Sequence, residues 1–170
     1  MPRTLLVLRH ATTEADAPGG DFARRLTPEG EREASDVGSA VAATDHVPTL
    51  ILHSTAVRAV RTTELLVSGG GATLQGVPAQ GIDELYLAPP RAILTALERL
   101  AGDHEVVMVV AHNPGLSDLC QLLMRSADDS ALVPLGRGMR PATLVRIRFD
   151  ALTWSGLLNR GHVEACRHPS

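Results

Sequence analysis

The strongest constraint on the fold is an alternation of two kinds of segment. Residues 4–9 (TLLVLR), 49–53 (TLILH) and 105–111 (EVVMVVA) are short, almost continuously apolar runs. A strand that is apolar at every position is buried on both faces, as in a parallel sheet covered by helices. Between these runs the apolar residues recur at helical spacing. Thr27-Pro28 reads as an N-cap with proline at the first helical position, followed by Ala34, Val37, Val41 and Ala42 on one face. Ile93, Leu94, Leu97, Leu100 and Ala101 form a stripe over residues 90–101, and Leu116, Leu119, Cys120, Leu123 and Met124 form another. On this pattern Cys120 is core packing rather than a nucleophile. The helix after the second strand, capped by Ser54 or Thr55, is expected to run to about Val67 and stop at Ser68-Gly69-Gly70-Gly71. Those glycines follow a helix, not a strand, so they read as a helix stop rather than a phosphate loop. Residues 142–149 and 152–158 are expected to form a closing hairpin, with a patternless and disordered tail from Asn159. The prediction is an α/β three-layer sandwich: a mainly parallel central sheet flanked by helices, one domain over residues 1–158 and a tail over 159–170.

Composition removes whole classes of function. The 170 residues carry a net charge of −3, which argues against broad binding to nucleic acid or to anionic membranes. All 16 basic residues are arginine, so neither a Schiff-base lysine nor a Walker-type phosphate lysine is available. Aromatic residues make up 2% of the chain, too few for a base-stacking platform. Cys120 and Cys166 form no framework, and the apolar run Leu5 to Leu8 is too short for a signal peptide or a membrane span. A soluble, cytoplasmic protein is expected. His46, His53, His104, His162 and His168 show no metal-binding spacing, and neither metal nor other cofactor is expected.

In parallel α/β sheets, ligands bind beyond the carboxyl ends of the strands. There the first strand delivers Arg9-His10-Ala11 and the strand at 105–111 delivers His112-Asn113-Pro114-Gly115. The second strand ends at His53-Ser54, with Arg58 in the first turn of the next helix, where the helix dipole and its free N–H groups favour anions. One histidine at a strand end is more often structural than functional. Two of them beside arginines on one rim point to an anion site. Arg137 and Arg140 form a separate basic loop, read as solvated in preference to a dock for an acidic partner.

These segments resemble the histidine phosphatase superfamily, with its phosphoglycerate-mutase-like fold, and specifically its short bacterial phosphohistidine phosphatase branch. The resemblance is carried by Leu8-Arg9-His10-Ala11, by Arg24-Arg25-Leu26-Thr27-Pro28-Glu29-Gly30, by Ser54 through Thr62 with Arg58-Ala59, and by His112 through Gly115. Ala11 stands where glycine is usual, and Arg61 where glutamine is common. The resemblance implies that His10 is a nucleophile that carries the phosphoryl group transiently. It implies that Arg9, Arg24, Arg58 and His112 bind the phosphate. Glu84, in Asp83-Glu84-Leu85-Tyr86, is the matching candidate for a general acid, against the alternative of a solvated loop residue. The chain lacks room for the helical insertions that cover the site in sugar-phosphate members. A phosphohistidine on a protein is therefore the expected substrate, with a small phosphate ester or a non-catalytic phosphate-binding module as the alternatives.

Overall fold

The computed structural model describes residues 2–169. Seven strands form one mixed sheet in the order β3-β2-β4-β1-β6-β7-β5. They are β1 (Arg3–Arg9), β2 (Leu50–Ser54), β3 (Ala79–Ile82), β4 (Val106–Ala111), β5 (Met124–Ala127), β6 (Leu144–Phe149) and β7 (Gly161–Arg167). The helices are α1 (Pro28–Ala42), α2 (Val57–Gly69), α3 (Gly71–Leu74), α4 (Pro90–Leu100), α5 (Gly115–Leu123) and α6 (Asp129–Gly136). Strands β1 to β4 are mutually parallel, and β6 runs antiparallel to β1.

The apolar strands are buried on both faces because alternate residues enter two separate cores. From β1, Leu5 and Val7 pack with Ile93, Leu97, Leu116 and Leu119 of α4 and α5, while Leu6 and Leu8 pack with Ala34, Val37 and Leu66 of α1 and α2. Val107 and Val109 of β4 join the first core, and Met108 and Val110 the second. Cys120 lies fully buried in the first core, and burial pushes its thiol up to about 12, as packing rather than chemistry requires. Thr27 caps α1 as its sequence suggests, its Oγ1 accepting from the Gly30 N–H at 3.0 Å. Gly30 must be glycine: a Cβ there would lie 2.0 Å from the Thr12 carbonyl oxygen.

The carboxyl-terminal third departs from the expected hairpin. The segment at residues 152–158 is a loop whose Trp154 and Leu157 plug the first core, with the indole N–H donating to the His104 carbonyl at 2.8 Å. The strand that pairs with β6 is β7, inside the stretch expected to be a disordered tail. Its alternation is masked because the inward positions include the small Gly161 beside Val163, while His162 and Glu164 are less buried. Glu164 accepts from Arg146 and Arg148 of β6 at 2.9 and 2.8 Å, a cross-strand pairing that a hydropathy pattern does not show. Strands β3 and β5 and helix α6 were also not anticipated; β3 and β5 are four-residue strands at the sheet's edges, with little core face to leave a period. Among the described residues no helix is long and apolar enough to cross a membrane.

Removing residues 161–170 should therefore do more than trim an end. It leaves β6 without its β7 partner and removes Val163 from the core. Urea unfolding of the truncated chain is expected to lose cooperativity or to shift to a clearly lower midpoint. An unchanged midpoint would contradict this placement.

Candidate active site

The parallel register brings the two strand-end histidines together. Arg9 lies opposite Ala111, so His10 and His112 leave adjacent strands at the same level, with ring centroids 5.2 Å apart. Both are buried, at 6% and 3% exposure. His10 Nδ1 lies 2.8 Å from the Ala11 carbonyl oxygen, which can only accept, so the ring proton sits on Nδ1 and Nε2 keeps its lone pair. That lone pair faces Arg58, whose Nε donates to it at 3.2 Å.

Arg58 is 2% exposed and reaches the rim from the first turn of α2. Beyond His10, its Nη1 donates to the Asp21 carbonyl at 2.6 Å and its Nη2 to Asp21 Oδ2 at 3.0 Å. Asp21 opens a 3-10 turn, Asp21–Ala23, in the loop between β1 and α1. Its carboxylate also accepts from the Tyr86 hydroxyl at 2.7 Å and from Arg24 Nη1 at 3.1 Å. The Tyr86 ring meets His112 edge-on at 5.6 Å and Phe22 at 5.0 Å, and the Arg58 guanidinium carbon lies 5.9 Å from its centroid.

His112 Nε2 and Ser54 Oγ share a hydrogen bond of 2.7 Å, and Ser54 Oγ accepts from the Ala56 N–H at 3.2 Å. Ser54 and Thr55 thus do not cap α2: Ser54 orients His112, and Thr55 donates to Asp83. Arg9 Nη1 donates to the Met139 carbonyl at 2.8 Å, an acceptor shared with Asn113 Nδ2 at 2.9 Å. Gly115 lets the following helix start close to the loop after Tyr86, since a Cβ there would fall 2.0 Å from the Ala88 carbonyl oxygen. Among the described residues, two buried side-chain atoms lack a hydrogen-bond partner: Arg9 Nε and His112 Nδ1. Unpaired buried polar groups are costly and rare, and both of these belong to residues of this rim.

Electrostatics keep the site cationic but its histidines neutral. Burial lowers the His10 pKa to about 3; the Ala11 carbonyl, the next largest effect, opposes it, and His112, Arg58 and Arg9 lower it further. Burial and Arg58 lower that of His112 to about 4. Burial, Arg58 and Arg24 also lower that of Arg9. The Tyr86 hydroxyl, Arg58 and Arg24 hold the Asp21 carboxyl well below the usual range, so Asp21 is ionised. Among the described residues no group of three or more His, Cys, Asp or Glu could hold a metal ion.

Arg9, His10, Arg58 and His112 thus meet on one rim, with Arg24 attached to it through Asp21. Glu84 does not join them. It is exposed, and its Oε1 accepts from Arg99 of α4 at 3.1 Å. The 3-10 turn Asp83–Leu85 buries Leu85 and leaves Glu84 outward, so the rim receives Tyr86 instead. Arg61 is paired with Glu31 and Glu64 outside the cluster, and Arg137 and Arg140 are exposed. Sequence reasoning missed Asp21 and Tyr86. The available signals were slight: an acid three residues before Arg24, and the chain's single tyrosine.

Residues 5–87 match the family described as Histidine phosphatase superfamily (branch 1). An uncharacterised Mycobacterium tuberculosis protein is 31% identical over 126 residues, covering 74% of this chain and 75% of its own. A structure from Agrobacterium tumefaciens, provisionally assigned as phosphohistidine phosphatase SixA, is 29% identical with a TM-score of 0.75, over 88% of this chain and 93% of that one. A second provisional SixA, from Nakamurella multipartitia, shares the fold at a TM-score of 0.81 and 23% identity, over 99% and 97% of the two chains. Fold and likeness together define a hydrolase of the phosphatase class. The chain belongs to the histidine phosphatase superfamily.

The neutral histidines carry a consequence for stability. Their ordinary pKa is 6.5, against about 3 and about 4 when folded, so at mildly acidic pH the unfolded chain binds more protons. Stability should fall as pH drops below about 6.5. Urea midpoints measured from pH 7 to 4.5 should fall more steeply for the wild type than for His10→Asn; equal slopes would contradict the buried neutral imidazole.

Proposed function

We propose that the protein is a metal-independent phosphatase that removes phosphate from phosphohistidine on a protein, through a transient phosphohistidine on His10. The observation that carries this reading is the state of His10: a neutral imidazole, its proton held by the Ala11 carbonyl, its lone pair on Nε2 beside a buried arginine. A nucleophile needs that tautomer, which the Ala11 carbonyl sets, and that charge state, which burial and the neighbouring arginines favour.

Phosphoryl transfer requires positioning and charge stabilisation more than any other contribution. In the proposed complex the phosphoryl oxygens take the unpaired Arg9 Nε and His112 Nδ1, together with donors of Arg58 and, at the rim, Arg24. With the Ser54 hydroxyl donating to His112 Nε2, the His112 proton falls on Nδ1 and becomes such a donor. As the substrate enters, Arg58 Nε turns its hydrogen from His10 Nε2 to a phosphoryl oxygen; the freed lone pair attacks phosphorus, the bond from phosphorus to the substrate nitrogen breaks, and that nitrogen keeps the electron pair. Water then attacks the phosphorus on His10, releasing phosphate and restoring the Nε2 lone pair.

The leaving group decides between substrates. An alkyl ester needs an acid to protonate the departing oxygen, and the two carboxylates nearest this role do not fit it. Glu84 is turned to Arg99, with its own backbone N–H and that guanidinium holding its pKa down, and Asp21 is ionised. A phosphohistidine already protonated on its other ring nitrogen leaves as neutral imidazole and needs no such acid. This supports phosphohistidine over small phosphomonoesters.

During turnover of a phosphohistidine protein, quenching in base should trap label on the peptide containing His10. His10→Ala should abolish both label and turnover. Arg58→Ala should lose charge-assisted contacts of about 1.5–3 kcal/mol, or roughly 10- to 150-fold in kcat/KM. Label on Ser54 or His112, or normal turnover by His10→Ala, would overturn the mechanism.

A further inference from the structure

Asp21 has no role in the reaction described above, yet it takes both terminal nitrogens of Arg58, the arginine that donates to His10. A guanidinium is a flat fork with two edges. Arg58 spends its end-on edge on a single residue, Nη1 on the Asp21 carbonyl at 2.6 Å and Nη2 on Asp21 Oδ2 at 3.0 Å. Gripping both terminal nitrogens removes rotation about the end of the side chain, so the direction of Nε is set, and Nε is the atom that meets His10 Nε2 at 3.2 Å. Asp21 is itself fixed. Tyr86 donates to Oδ2 and Arg24 to Oδ1, and the 3-10 turn closes with the Arg24 N–H on the Asp21 carbonyl at 3.2 Å.

We propose that Asp21 is a positioning residue for the phosphoryl transfer, clamping the outer edge of Arg58 so that its inner edge, Nε and the free hydrogen of Nη2, faces His10 and an incoming phosphoryl group. The proposal rests on the phosphatase reading for its consequence in catalysis, but the clamp itself is a property of the resting protein. A rival role makes the opposite prediction. If the carboxylate merely occupied the seat of the substrate's anion, removing it would free the cations and raise activity. A negative charge beside a phosphate site also repels substrate, so losing a clamp should damage kcat while leaving binding intact or tighter. A structural residue does not produce that split.

The test uses Asp21→Asn, which keeps an acceptor for Nη2 without the charge, and Asp21→Ala, which keeps only the backbone acceptor. With p-nitrophenyl phosphate, kcat is expected to fall about 10-fold in the first and about 100-fold in the second, a size typical of ångström-scale misplacement, with KM not raised. In the same proteins without substrate, the Arg58 Nε–H resonance, assigned by its loss in Arg58→Ala, should be protected from solvent exchange in the wild type and exchange freely in Asp21→Ala. Retained protection with unchanged kcat, a loss confined to KM, or a gain in kcat/KM would each overturn the proposal. Should Asp21→Ala fail to fold, the near-isosteric Asp21→Asn decides by the same two readouts. A wild type that neither turns over nor labels His10 would refute the phosphatase reading, and the exchange measurement would still decide the clamp.

Discussion

A buried arginine that donates to a neutral histidine organises this molecule's functional edge. Burying a guanidinium costs several kcal/mol unless its donors are satisfied, and removing one partner of such a pair is strongly destabilising. Arg58 meets that demand with His10 on one side and Asp21 on the other. The same charge disfavours protonation of both histidines, adding to the larger effect of burial. Arginine, histidine and carboxylate therefore depend on one another, and a change at any of them is felt at the other two.

What holds the cluster in register is the sheet. Adjacent parallel strands set His10 and His112 side by side, and the register of β1 on β4 permits no slip without turning every apolar side chain to the wrong core. Ser54 at the end of β2 completes the row by bonding His112. Rigid elements thus carry the residues that need sub-ångström placement. The loop between β1 and α1 supplies Asp21, Phe22 and Arg24, and it is anchored by Thr27 as a helix cap and by the close approach of Gly30 to Thr12.

Much of this was legible in the sequence for a physical reason. Arg9, His10 and His112 sit immediately after runs too apolar to be anything but buried strands, so their place at the sheet edge follows from pattern alone. Arg58 follows from its position in the first turn of a helix behind another such strand. Loop residues carry no period, and Asp21 and Tyr86 could not be placed without knowing how two loops fold over the rim. Glu84 illustrates the same limit: one residue's rotation in a 3-10 turn decides whether a side chain faces the site or Arg99. The missed strand β7 failed differently, because ion pairs to Glu164 and small inward residues replace the bulky alternation that marks a strand.

If His10 attacks phosphorus as proposed, it and the two unpaired nitrogens form one oxyanion seat. A crystal structure of the protein soaked in vanadate tests it directly. Vanadium is expected bonded to or in line with His10 Nε2, with its oxygens within hydrogen-bond distance of Arg9 Nε and His112 Nδ1. An oxyanion bound elsewhere, or one that leaves those two nitrogens without partners, would contradict it.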